Sequence, residues 1–256
     1  MKKQIDLNCD MGEGFGLWSF GKDEEMMDYV TSANLACGYH AGDPSIMRKS
    51  VELCKQKGIA VGAHVGLPDL LGFGRRRMEV STYDLKNYLI YQTGALQAFL
   101  SIAGMKMQHL KLHGALFSMA AESREISRAA LEATAEINEN LIIYTMEHTA
   151  TYEVAKEMGF QVAREFYGDR GCEPNGILTF RYNLNDIGGS PEAAAKRIVR
   201  VLEEKKVTAT NGKDIDFECD TFCIHSDTDL ALDIAMHTKQ ELEKTGWSLT
   251  PLKEYF

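Results

Sequence analysis

No stretch of this 256-residue sequence stays apolar for the roughly 20 residues that a membrane-spanning helix needs. Its opening residues, Met1-Lys2-Lys3-Gln4-Ile5-Asp6, lack the apolar core of a secretory signal, so the chain is expected to stay in the cytoplasm. It has no basic stripe; the one short run is Arg75-Arg76-Arg77. With a net charge of −9, that argues against nucleic acid, whose binding rests on neutralising phosphates. No Cys-x-x-Cys pair occurs among the six cysteines, which read as buried thiols rather than a disulfide framework or zinc ribbon. No glycine-rich P-loop and no dinucleotide fingerprint follow any expected strand, so ATP is not expected to bind this chain alone. Linkers and internal repeats are also missing, which points to one domain over residues 1–256.

What is present is an alternation of short apolar runs with amphipathic stretches. Strands are expected over 4–9, 33–37, 59–64, 108–112, 141–144, 161–166 and 221–225. Helices are expected over 23–30, 43–57, 82–103, 123–138, about 153–158, 191–204 and 227–245. Asp43-Pro44 makes a strong helix start, with a capping side chain followed by proline at the first position. Asn211-Gly212 signals a two-residue hairpin between 207–210 and 215–218. Strands alternating with helices imply parallel βαβ units, and the length suits a barrel.

Barrels place their chemistry at strand C-terminal ends, and polar residues collect there. Asp6, Asn8 and Asp10 alternate along the first strand and share one face, with Glu13 just beyond. Buried charge is costly unless paired or functional, which makes this set a candidate site. A hydrogen-bonded polar plug is the competing structural explanation. The second strand delivers His40 and Asp43, the third His64 and Asp69, and the fourth Lys111 and His113. Glu165, Asp169 and Arg170 follow the sixth, and His225 and Asp227 the last. His109, His148 and His237 fall outside this placement and read as structural or surface residues.

Several of these residues lie in longer motifs. They include Asp6-Leu7-Asn8-Cys9-Asp10-Met11-Gly12-Glu13, the run from Ser32 to Pro44, and Gly72-Phe73-Gly74-Arg75-Arg76. Lys111-Leu112-His113-Gly114-Ala115-Leu116, Phe166-Tyr167-Gly168-Asp169-Arg170 and Cys223-Ile224-His225-Ser226-Asp227-Thr228 complete them. In order and spacing, from residue 5 to Pro251-Leu252-Lys253, they resemble the LamB/YcsF family. The resemblance implies an α/β fold, a (β/α)7 TIM-like barrel of the glycoside hydrolase/deacetylase type. It implies a subunit of an ATP-dependent amidohydrolase of the 5-oxoprolinase type, opening 5-oxo-L-proline to L-glutamate with PxpB-like and PxpC-like partners.

On that basis Asp10, Glu13, His40, His64, His113, His225 and Asp227 are the catalytic candidates. Asp6, Asn8, Asp43, Asp69, Arg75, Lys111, Glu165, Asp169 and Arg170 are the substrate-binding ones. Two alternatives stay open: a divalent-metal-dependent amide hydrolase with Asp10, His40 and His64 as ligands, and a noncatalytic lactam-binding subunit. Which lactam is used and whether the chain forms a homo-oligomer are also open. The sequence departs from the family pattern at Val65-Gly66-Leu67, Phe117-Ser118 and Ser226. A glycine at 66 predicts a pliable loop after His64.

Overall fold

The computed structural model describes residues 3–256. Its strands are β1 (Lys3–Met11), β2 (Ser32–Ala36), β3 (Ala60–Val65), β4 (Met107–Leu112) and β5 (Ile142–Thr145). They continue with β6 (Val162–Tyr167), β7 (Lys206–Thr208), β8 (Asp214–Asp216), β9 (Thr221–Cys223) and β10 (Trp247–Leu249). The helices are α1 (Asp23–Met26), α2 (Pro44–Lys57), α3 (Thr82–Ala103), α4 (Gly114–Glu122), α5 (Arg124–Asn138), α6 (Ala150–Glu157), α7 (Pro191–Glu204) and α8 (Ala231–Lys244). Parallel strands alternate with helices, and the fold is a (β/α)7 TIM-like barrel. Among the described residues, no helix is long and apolar enough to cross a membrane.

The chain forms two compact units. The first comprises the stretch up to Cys9, Gly21–Ser32 and Arg164–Phe256. In it β1 pairs in parallel with β9 and β10, and β9 with β6. Ile5, Leu7 and Cys9 alternate with Asp6 and Asn8 along β1, and all five are buried. The alternation puts apolar groups on one face and polar groups on the other. Helices α7 and α8 pack together through stripes of small and branched residues, Ala194, Ala195, Ile198 and Val201 on one and Ala231, Ile234, Ala235 and Leu242 on the other.

The second unit comprises Asp10–Phe20 and Ala33–Ala163. Here β3 pairs in parallel with β4, and β4 with β5. Asp43 caps α2 as expected, its Oδ1 accepting from the Ser45 and Ile46 amides at 2.8 and 3.0 Å. Gly58, in the left-handed region, ends that helix. Along α3, Leu85, Leu89, Leu96 and Leu100 form a buried helical stripe. Each such leucine stabilises by about 1.5–3 kcal/mol relative to an exposed one.

Several elements differ from the sequence reading: β10 was not expected, and α1 ends at Met26 instead of 30. Helix α4 was not expected because small and apolar residues dominate it and leave only Ser118 and Glu122 to mark a polar face. The turn at Asn211-Gly212 is in place, but β7 and β8 pair as Thr208↔Asp214, leaving five residues between them rather than two. The Asn211 side chain holds the Lys213 amide at 3.0 Å within this longer turn. The last helix begins at Ala231 instead of 227, because Asp227–Leu230 form turns tied to the residues before them.

Candidate functional site

In the second unit, buried polar side chains stand at the ends of β1, β2, β3 and β4. Asp10 is at their centre. Its Oδ1 accepts from Lys111 Nζ at 2.9 Å and from Asn34 Nδ2 at 2.7 Å. Its Oδ2 lies 3.3 Å from His64 Nε2. Strand pairing explains the convergence, because His64 on β3 and Lys111 on β4 are register partners. Lys111 is 2% exposed, so this is a fully buried ion pair.

Three imidazoles complete the group. His113 donates from Nε2 to the Phe73 carbonyl at 2.8 Å, and its Nδ1 lies 3.0 Å from His64 Nε2. His40 stacks on His113, with centroids 3.7 Å apart and planes 8° from parallel. His40 Nε2 lies 3.3 Å from Glu13 Oε1, and among the described residues neither His40 ring nitrogen has a hydrogen-bond partner. Burial disfavours charge on His40 and His113, and the neighbouring imidazoles add to that. His113 is held down at about 3 and His40 well below its ordinary value. Both are therefore neutral near pH 7. Glu13, His40, His64 and His113 each offer one ligand atom within 4.8 Å of the others, so this buried cluster could hold a metal.

The backbone makes room for the rings with glycine. A Cβ at Gly74, where φ is +64°, would stand 2.6 Å from His40 Cβ and 2.8 Å from His113 Cδ2. A Cβ at Gly66 would stand 2.7 Å from His40 Nδ1. One side chain holds the Gly66 backbone, which the sequence reading did not foresee. Gln92 of α3 accepts from its amide at 3.0 Å and donates to its carbonyl at 2.9 Å, and the residue is buried. A side-chain amide replaces the missing local constraint.

The other candidates of this unit are engaged away from this cluster. Asp43 serves the α2 cap and also accepts from the Gly16 amide at 2.8 Å. Asp69 accepts from the Gly72 amide at 3.0 Å and forms an ion pair with Arg76. Arg75 is exposed, its guanidinium 5.2 Å from the Phe73 ring centre.

The first unit holds a different arrangement. His225 Nδ1 donates to Asp169 Oδ1 at 3.0 Å. Asp169 also accepts from the His225 amide at 3.0 Å, Thr228 Oγ1 at 2.6 Å and Arg170 Nη1 at 2.7 Å. Burial alone would raise this carboxyl, but the His225 and Arg170 charges and the hydrogen bonds outweigh it. They hold the group well below the usual carboxylate range. With Nδ1 fixed as the donor, a neutral His225 carries its lone pair on Nε2. Arg170 is a clamp, donating also to Thr228 and to the Phe180 carbonyl, and its Nη2 lies 3.8 Å from Asp227.

Asp6 accepts from Thr31, Ser32 and Thr221 hydroxyls at 2.6–2.7 Å, and Asn8 donates to Thr221 at 2.8 Å. Both lie deep in β1, and Glu165 is buried on β6 opposite Thr221 in the register. Sequence reasoning passed over Asn34, Thr228 and the Phe73 carbonyl as site members. Asn34 was legible, being a lone amide inside an apolar strand. The Phe73 carbonyl was not, since any residue supplies one.

His109 is fully buried, donates to Asn34 Oδ1 at 2.6 Å and stacks on Tyr144, which is a structural role. His237 sits partly exposed beside Glu192.

Comparison with known proteins bears on all of this. The 5-oxoprolinase A subunit of Pyrococcus abyssi is 42% identical over 252 residues, covering 98% of this chain and 99% of that one. The 5-oxoprolinase A subunit of Campylobacter jejuni is also 42% identical, with the same coverage. A lactam utilization protein from Thermus thermophilus has a crystal structure that superposes with a TM-score of 0.89. It is 38% identical, and the match covers 96% of this chain and 99% of that one. Residues 5–256 match the LamB/YcsF family, and the chain belongs to it.

Proposed function

We propose that this protein is a subunit of an ATP-dependent lactam hydrolase that opens 5-oxo-L-proline to L-glutamate, working with PxpB-like and PxpC-like partners. The observation that carries the reading is the buried Asp10–Lys111 pair ringed by His40, His64, His113 and Glu13. It sits in a chain that matches 5-oxoprolinase A subunits from end to end. Apolar groups exposed in the same unit, Leu17, Trp18 and Leu71, support a chain that docks on partners.

A five-membered lactam is a poor electrophile because its nitrogen donates into the carbonyl. A phosphoryl group taken from ATP onto the lactam oxygen makes the ring carbon open to water. The water proton goes to Asp10 or Glu13, acting as general base. The ring C–N bond then breaks with a proton delivered to nitrogen, and water hydrolyses the resulting acyl phosphate. L-glutamate and phosphate are released. Arg75 is suited to the substrate carboxylate or the phosphoryl group, since a guanidinium binds either in bidentate fashion. His225, oriented by Asp169, has the form of a proton carrier. ATP is assigned to the assembled complex and not to this chain alone.

The test is reconstitution of the chain with its partner subunits and a panel of lactams and cyclic ureas. ATP-dependent release of glutamate from 5-oxo-L-proline, abolished by Asp10→Asn, is expected. ATP hydrolysis that no lactam stimulates would refute the reading. Normal turnover by the Asp10→Asn complex would make the chain a noncatalytic binding subunit.

A further inference from the structure

The histidines of the second unit are held by their outer nitrogens. His113 Nε2 lies 2.8 Å from the Phe73 carbonyl, and His64 Nδ1 lies 3.3 Å from the Lys111 carbonyl. A carbonyl only accepts, so each of those nitrogens carries the hydrogen. The nitrogens left to face inward are then His113 Nδ1 and His64 Nε2. These two atoms face each other at 3.0 Å. His64 Nε2 also stands 3.3 Å from Asp10 Oδ2, so three potential ligand atoms converge on one point that a cation or a shared proton would hold together. A carbonyl holding the outer nitrogen is also the usual way a protein orients a metal-binding imidazole.

The remaining geometry selects the third ligand. Glu13 Oε1 stands 3.9 Å from His113 Nδ1. Ligands about 2.1 Å from a tetrahedral ion are roughly 3.4 Å apart, so these spacings bracket that value. The His64 and His113 rings are perpendicular, which lets their in-plane lone pairs cross at one point. His40 lies parallel to His113, so its own lone pair cannot reach that point without turning. It faces Glu13 instead.

We propose that Glu13, His64 and His113 bind one divalent first-row transition-metal ion. His40 stands beside it, facing Glu13, and is not a ligand. Two imidazoles and one carboxylate suit zinc, cobalt, manganese or iron, whereas calcium and magnesium prefer oxygen alone. Three protein ligands is the number found where a coordination position is left open for chemistry. Asp10 and Lys111 lie next to the ion as a neutral pair. The proposal goes beyond the lactam reading and does not depend on the substrate. It also differs from an Asp10–His40–His64 set in leaving out His40, which faces Glu13; Asp10 Oδ1 is held by Lys111 and Asn34, and its Oδ2 stands 3.3 Å from His64 Nε2 beside the site.

The full-length protein, stripped with a chelator, would be titrated with Zn²⁺ by calorimetry and with Co²⁺ by visible absorption. One ion per chain is expected, with a Co²⁺ ligand-field spectrum. His64→Ala, His113→Ala and Glu13→Gln should each weaken binding by about tenfold or more. His40→Ala and the surface variant His237→Ala should still take up one ion. Absence of saturable binding by the wild-type protein would overturn the proposal and leave a shared proton between the two rings. Equal binding by Glu13→Gln, which changes one atom type, would do the same without a folding ambiguity. Loss of the ion in His40→Ala as complete as in His64→Ala would overturn the three-ligand assignment.

Discussion

The histidine–carboxylate groups of the two units are built differently. In the second unit, His40, His64 and His113 share a buried space with Asp10, Glu13 and Lys111, and the rings contact one another. In the first unit, His225 leans on Asp169, a carboxylate that already has Thr228 and Arg170 as further donors. Burial and crowding drive His40 and His113 neutral and gather potential ligand atoms, the condition for holding a cation. A carboxylate held by several donors fixes one imidazole tautomer, the condition for directional proton transfer. The same two residue types therefore reach different chemistry through the number of their neighbours.

The largest effects should come from removing one partner on either side of this comparison. Lys111→Met leaves the Asp10 charge buried with only neutral donors and should cost about 3–5 kcal/mol of stability in urea unfolding. The double variant Asp10→Asn/Lys111→Met should be less unstable than Lys111→Met alone. Simple additivity would mean the pair is not coupled. In the first unit, Asp169→Asn presents an amide to His225 and favours the opposite tautomer. The reconstituted enzyme should lose about 10²–10⁴ in kcat with little change in KM. A loss confined to KM would assign Asp169 to substrate binding and not to orientation.

Much of this contrast was written in the chain. The alternation of Asp6, Asn8 and Asp10 with Ile5, Leu7 and Cys9 declared the polar face of β1, and every histidine at a strand end could be counted. What could not be read was which acids would be engaged by the protein itself. Asp69 has the same character in sequence as Asp10, yet it pairs with Arg76, seven residues on, in a turn. Asp6 is drawn into hydroxyls of Thr31, Ser32 and Thr221, far away along the chain. Helix α4 escaped because periodicity is a surface signal, and an element dominated by small and apolar residues shows little of it.

A smaller effect tests how tightly the rings of the second unit are packed. Gly66→Ala adds one methyl group 2.7 Å from His40 Nδ1 and 3.1 Å from its Cβ. Its φ is not in the left-handed region, so the substitution carries no backbone strain and reports the ring contact alone. Overpacking of this kind should cost about 1–3 kcal/mol in urea unfolding and displace the His40 imidazole. Unchanged stability and an unchanged His40 resonance would show that the ring has room to move.

The smallest effect concerns acid, and it separates a buried structural histidine from its neighbours. His109 donates through Nε2 to Asn34 and accepts at Nδ1 from the Gln108 side chain at 3.2 Å. Both ring positions are thus fixed in the neutral form, and burial, followed by the nearby Lys111 charge, holds the group well below its ordinary value. Above about pH 6.5 the ring is neutral in the folded and the unfolded chain, so it gives stability no pH dependence. Below that, the unfolded chain takes up a proton that the folded chain refuses. Stability therefore falls as pH drops from about 6.5 toward the folded value, by up to about 1.4 kcal/mol per pH unit from this one group. His40 and His113 add losses of the same sign in both proteins, so they cancel from a comparison of wild type with His109→Gln. The variant should be less stable at pH 7.5, having lost the stack on Tyr144. Its loss of stability between pH 6.5 and 5 should nevertheless be shallower than that of the wild type, by an amount approaching one bound proton. Parallel slopes in urea unfolding at pH 7.5, 6 and 5 would show that His109 takes up its proton in the folded protein, and that the chain from His109 through Asn34 to Asp10 is not locked in the neutral tautomer.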